Sequence, residues 1–186
     1  MSIPESVTFE EAIALTQSLM SQMTAGELSA PEISEAIAQL VKSENGARGF
    51  FVSYLTSEDT LADKPSPEVI QALQSSPDIV AELLVKNLAM SSAQAVTHRR
   101  QGNEEMAQGS DRVRSRTISL IEKLKLPQLR ERFVALYESA TTGEGIYQTF
   151  LQRWGYDAQQ RQVICEALEQ VMSEIESEPN LEDHYS

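Results

Sequence analysis

The sequence predicts an all-α protein, a helical bundle of about eight or nine helices around one buried helix at about 77–99. Three observations carry this prediction. Helix-start signals recur along the chain: capping boxes at Thr8/Glu11, Ser29/Glu32 and Asp157/Gln160, and serine-proline pairs at Ser66-Pro67 and Ser76-Pro77. Between them apolar residues return at helical spacing, and no second segment could pair with the single strand-like run GFFVSYL at 49–55. Finally, SPDIVAELLVKNLAMSSAQAVTHRR at 76–100 carries apolar or small residues around almost its whole circumference, with three charged side chains before His98. A surface helix would show one apolar stripe, so this one is expected to be surrounded by others.

In chain order, Phe9, Ile13, Thr16, Met20 and Met23 mark a helix over roughly 9–24, stopped by Gly26. Ile33, Ala36, Ile37, Leu40 and Val41 follow the i, i+3, i+4, i+7, i+8 pattern of a second helix, for which Asn45-Gly46 is the expected end. The short connection makes the pair an antiparallel hairpin. Phe50, Phe51, Tyr54 and Leu55 fit helical spacing, so 49–55 is assigned to a helix, and SEDTLADK at 57–64 to a polar loop. Ser66-Pro67 and Ser76-Pro77 then open a short helix near 67–74 and the central helix.

Gln101-Gly102-Asn103 and Gln108-Gly109-Ser110 punctuate the next stretch, so the central helix ends or bends near 100 and its successor is expected beyond Ser110. Val113, Thr117, Leu120, Ile121 and Leu124 define that successor, as far as Pro127. Leu129, Phe133, Leu136, Tyr137 and Ala140 define another, ending at Gly143. Ile146, Tyr147, Phe150, Leu151 and Trp154 make a short aromatic helix closed by Gly155, and Ile164, Leu168, Val171, Met172 and Ile175 the face of the last. Residues 1–175 are expected to form one helical domain, whose natural dividing line, into 8–100 and 110–175, lies at 101–110. The remainder, ESEPNLEDHYS at 176–186, is an acidic tail expected to be disordered.

The 186 residues suffice for one core of ordinary size, and a 41% hydrophobic content is compatible with a globular fold. Fifteen Lys and Arg face 28 Asp and Glu, a formal charge of −13 that repels polyanions and anionic lipid at long range. Cys165 stands alone, so an internal disulfide is ruled out, and MSIPESVTFEE shows no basic region followed by an apolar run, so no targeting segment is expected in it. Glu82, Lys86 and Asn87 interrupt the best membrane-span candidate. A soluble, cytoplasmic protein that does not engage membranes is expected.

Catalytic and metal chemistry find little support. The histidines, His98 and His184, lack a glutamate three residues before them, as a ferritin-like di-iron site would need. Cys165, between Ile164 and Glu166 on an amphipathic face, reads as a small buried hydrophobe. GARG at 46–49 and TTGEG at 141–145 have neither the spacing nor the lysine of a phosphate loop. Glu10-Glu11 and Glu104-Glu105 sit at helix starts, where the macrodipole accounts for them. No catalytic residue, cofactor or metal ligand is assigned.

Charge is the sharpest local anomaly. From 98 to 132 there are nine Lys or Arg against five acids, a surplus of four, so the rest of the chain carries −17. The first reading of these cations is pairing with the protein's own acids. The second is an anion or acidic-partner patch made by His98, Arg99, Arg100, Arg112 and Arg116. Nucleic-acid binding ranks last, because no aromatic-interleaved basic motif accompanies the arginines. The aromatic clusters Phe50, Phe51, Tyr54 and Tyr147, Phe150, Trp154, Tyr156 read first as core wedges. If a partner surface exists, the second cluster is the preferred place for it.

GARGFFVSYLTSED, SPDIVAELLVKNLAMSSAQAVTHRR and FLQRWGYD resemble uncharacterised all-helical proteins of cyanobacteria, most closely over about 45–100. The resemblance implies a bacterial cytosol and carries over no activity or residue role. Three functions are therefore ranked. The first is a non-enzymatic interaction or regulatory protein that binds a protein partner through an apolar, aromatic-edged helical surface, with self-association left open. The second is a small-molecule or anion binder, with enzymatic activity left open, using a pocket between helices near His98, Arg99, Arg100 and Arg116. The third is a nucleic-acid binder using the basic region at 98–132.

Overall fold

A computed structural model of the chain describes residues 3–177. Among these the chain forms nine helices and no strand. Helix α1 (Phe9–Ala25) opens on the expected capping box: the Glu11 N–H donates to Thr8 Oγ1 at 3.1 Å and the Thr8 N–H to Glu11 Oε2 at 2.8 Å. Gly26, in the left-handed region at φ 70°, closes it. At α2 (Ala30–Val41), Glu32 accepts from both the backbone N–H and the hydroxyl of Ser29.

The sequence reading of Asn45-Gly46 as a helix stop is corrected by the structure. Helix α2 ends at Val41, and α3 (Glu44–Thr56) begins almost at once, with Ser43 as its cap and Gly46 in its first turn. A Cβ on Gly46 would stand 2.0 Å from the Leu40 carbonyl oxygen, so glycine here permits a tight corner between two helices. The run at 49–55 is helical, as its spacing predicts. The polar segment after it leads to α4 (Pro67–Gln74) and to α5 (Pro77–Arg100), each with its proline in the first turn.

A second boundary also differs. Helix α6 (Glu104–Leu124) starts well before Ser110: Asn103 caps it, accepting the Met106 N–H at 3.1 Å, and Gly109 lies inside it. An interior glycine costs only about 1 kcal/mol relative to alanine. Ala107, buried two residues before it, and Arg116, Thr117 and Leu120 beyond it hold the helix together across that weak point. Helices α7 (Gln128–Thr142), α8 (Gln148–Trp154) and α9 (Ala158–Ser177) complete the order. Asp157 and Gln160 exchange the two hydrogen bonds of the expected box at the start of α9. Of the expected tail, Glu176 and Ser177 belong to α9; residues 178–186 lie outside the described residues.

Helix α5 is the centre of the molecule. It packs most extensively on α6 and also touches α3, α4, α7 and α9. Val80, Ala81, Leu84, Val85, Leu88, Ala89 and Ala93 are fully buried, within one core that runs from Val7 to Val171. Ser91, Ser92 and Ala95 are buried too, and their small side chains let α6 and α9 approach closely. By length, and by a mean hydropathy of 1.2 over its best window, α5 could span a membrane despite Glu82, Lys86 and Asn87; 56% of that window is buried within the protein. The enclosure is incomplete, however. Leu83, Asn87, Met90 and Gln94 are only half-buried, and that stripe sets the candidate site.

Candidate functional site

Leu83, Asn87, Met90 and Gln94 recur at steps of four, three and four, which places them in one row along α5. This row floors a groove. Phe51, Val52 and Leu55 of α3 form one wall, and Tyr147, Phe150 and Trp154, at and within α8, form the other. The first stretch has a volume of about 610 Å³, and a second of about 560 Å³ adjoins it, sharing Thr56, Asn87, Met90 and Val113 and reaching Met106 on α6. Of the six large hydrophobic side chains exposed among the described residues, Val52, Met106, Ile146 and Trp154 border this groove. Ile146 is 82% exposed.

The α8 wall is held by a polar node beneath it. The buried Tyr147 hydroxyl donates to Glu82 Oε2 at 2.8 Å, and Glu82 also receives Arg132 Nε at 3.2 Å and Lys86 Nζ at 3.1 Å. Burial pushes the Glu82 carboxyl up, but the hydrogen bonds from Tyr147 and Lys86, the Lys86 charge and the bond from Arg132 outweigh it and leave the group below its usual range. Burial, with the Glu82 carboxylate second, raises the Tyr147 phenol well above its ordinary value, so it remains a donor. The Tyr147 N–H donates to Ser139 Oγ at 3.1 Å, next to Gly145 at φ 112°, a turn that leaves Ile146 in solvent. The Phe150 ring meets Tyr147 and Tyr156 edge-on, each at 6.4 Å, and Lys86 Nζ lies 5.7 Å from its centroid.

Apolar and aromatic side chains make up most of the lining of the first stretch of the groove. The polar groups of the first stretch include the Glu82 node, the guanidiniums of Arg48 and Arg153, the Glu44 carboxylate and the Asn87 amide, which makes no hydrogen bond to any described residue. Among the described residues, no three His, Cys, Asp or Glu side chains converge as metal ligands.

Of the basic residues singled out in the sequence, Arg112 lines the adjoining stretch of the groove and the others lie elsewhere; the protein's own acids and carbonyls engage all four arginines. Arg99 pairs with Glu104 at 3.3 Å and Asp111 at 2.6 Å, Arg100 with Asp157 and Gln159, and Arg112 with Glu58 at 3.2 Å. Arg116 is 3% exposed. Its guanidinium donates to Asp63 Oδ1 at 2.7 Å and to the carbonyls of Leu55, Ser57 and Asp59 at 3.0, 2.7 and 2.8 Å. It thus caps α3 and fixes the loop that follows, with no free edge for a ligand. The His98 side chain is half-buried, and its carbonyl accepts the Asn103 N–H at 2.9 Å.

The aromatic candidates divide. Tyr147, Phe150 and Trp154 line the groove, whereas Tyr156 faces a separate cleft with Cys165. Burial pushes Tyr156 up to about 12. Cys165 is half-buried rather than buried, and burial raises its thiol against a lowering bond from Thr141, with Glu169 and Glu166 adding to the rise. Such a thiol is a poor nucleophile. Sequence reasoning missed Leu83, Asn87, Met90 and the α3 wall. The 83, 87, 90, 94 spacing was the available signal, hidden because apolar and small residues surround it on every side.

Fold and site together define an all-α protein built on a central helix, one strip of which floors an open apolar groove. The chain belongs to the family described as Uncharacterised conserved protein UCP020893, which matches residues 8–171. No curated protein and no solved structure matches it.

Proposed function

We propose that the protein is a non-enzymatic interaction module, which takes an apolar segment of a protein partner into the α5 groove. The observation that carries this is the gathering of four of its six exposed large hydrophobics along one groove. Scattered apolar residues on a surface are ordinary; a contiguous band edged by aromatic side chains is the composition of an interface core. The two adjoining clefts together make a trough longer than a compact ligand requires. The −13 charge adds a long-range repulsion between copies of a protein with such a band.

The test compares wild-type protein with Val52→Glu/Ile146→Glu, two exposed positions where carboxylates leave the core untouched. Both are used as affinity baits in lysate of a cyanobacterium, the source to which the sequence resemblance points. A protein captured by the wild type and reduced at least tenfold by the variant is the expected result. Identical recovery by both baits, with both folded by circular dichroism, would sink the groove as the binding surface.

A further inference from the structure

We infer, resting on the docking role proposed above, that the occupant of the groove is an amphipathic α-helix of about three turns, with carboxylates bordering its apolar ridge at the end facing Arg48 and Arg153. The helical form follows from the floor. Leu83, Asn87, Met90 and Gln94 stand at the four-three-four spacing by which one helix presents a seam to another, and no strand edge among the described residues offers an extended peptide a ladder. From Leu83 to Gln94 the seam is about 17 Å long at 1.5 Å per residue, which sets the length of the occupant. Asn87, half-buried with an unbonded amide, stands among apolar neighbours where a polar side chain of the partner would fix the register.

The acidic flank follows from the arginines. Of the ten arginines in the chain, seven form ion pairs with carboxylates of the protein itself. Arg48, Arg153 and Arg161 have no carboxylate at ion-pair distance among the described residues, and the first two line the groove, one on each wall. Arg48 lies 4.9 Å from the Phe9 ring centroid, so its planar face is occupied while its N–H edge has no carboxylate. In a chain with 28 acids and 15 bases, two unpaired guanidiniums facing one apolar trough are sites for a partner's carboxylates. Neither arginine reaches the adjoining stretch, where Glu58 and Glu105 stand and the one guanidinium, that of Arg112, is already paired with Glu58. The acidic end of the helix therefore lies over the first stretch, away from Glu105.

The test uses the full-length protein and three labelled helical peptides of about sixteen residues, sharing one leucine ridge and carrying Glu, Gln or Lys beside it at one end. Binding is read by fluorescence anisotropy and by emission of Trp154, the single tryptophan, at the groove edge. The Glu peptide is expected to bind about tenfold more tightly than the Lys peptide at low salt, as two exposed ion pairs allow, with the preference shrinking toward about 1 M salt. In Arg48→Glu/Arg153→Glu the preference should reverse. Equal binding of all three peptides, abolished by Val52→Glu/Ile146→Glu, would overturn the acidic flank and leave the docking groove standing. No binding by any peptide, or binding indifferent to the groove variant, would overturn both. Sedimentation showing a dimer of the protein alone, dissociated by the groove variant, would assign the groove to a second copy and overturn the inference as well.

Discussion

Arg116 shows how little a charged residue's own neighbourhood in sequence says about its role. Spacing puts it four residues from Arg112 on α6, and both look like members of one basic patch. The partners of Arg116 lie 53 to 61 residues earlier, on the end of α3 and the loop after it, and local pattern cannot reveal a loop folding back to meet it. Replacing Arg116 with methionine would leave three carbonyls without their donor and the loop without its anchor. A loss of about 3 kcal/mol in urea denaturation is expected. Arg112→Met removes a half-exposed side chain whose partner, Glu58, is 89% exposed, and should change stability by no more than about 0.5 kcal/mol. Equal losses from the two would refute the assignment of Arg116 as the anchor of α3.

Helix ends were legible where the chemistry is local. Thr8, Ser29 and Asp157 each meet a side chain three residues on, so their capping boxes could be read directly and are present. Glycines misled because their meaning depends on what stands opposite. Gly46, read as a stop, serves a close corner, and Gly109, also read as punctuation, lies inside a helix held by its packing. Gly49 adds a third case: a Cβ there would come 2.4 Å from Ala12 Cβ, so the glycine lets α3 lie against α1. Gly49→Ala is expected to destabilise by about 1–3 kcal/mol through overpacking. Gly109→Ala, with nothing within 4 Å of the new methyl, should stabilise by about 0.5–1 kcal/mol. Thermal melts distinguish them, since about 1 kcal/mol moves Tm by roughly 2–4 °C in a chain of this size. Shifts of the same sign would mean the packing between α1 and α3 is looser than described. The groove escaped the sequence reading for a related reason: which strip of α5 stays uncovered is decided by where α3, α6 and α8 stop.

At the scale of the whole molecule, two electrostatic effects oppose each other as pH changes. The −13 charge repels itself at neutral pH, and that repulsion fades as acids take up protons, which favours the folded state on moving from pH 8 toward about pH 5. Against it stand carboxyls that the fold holds below their usual range: Asp63 through its hydrogen bond from Arg116, Asp157 through Arg100, Glu32 through Ser29, Glu68 through Ser66, and Glu82 through Tyr147, Lys86 and Arg132 despite its burial. A depressed native pKa means that the unfolded chain binds protons first. The stabilisation these groups provide is complete above the ordinary carboxylate range, near 4, and is lost as pH falls through the native values below it. Stability measured by urea should therefore rise slightly from pH 8 to about 5 and fall steeply below about 4. Added salt should raise stability at pH 8 more than at pH 5, because screening acts where net charge is largest. Arg100→Gln, which removes the main cause of the Asp157 shift, should make the acid-side fall shallower. A profile that stays level from pH 5 to 3, or an acid limb unaltered by Arg100→Gln, would show that these ion pairs do not couple proton uptake to unfolding.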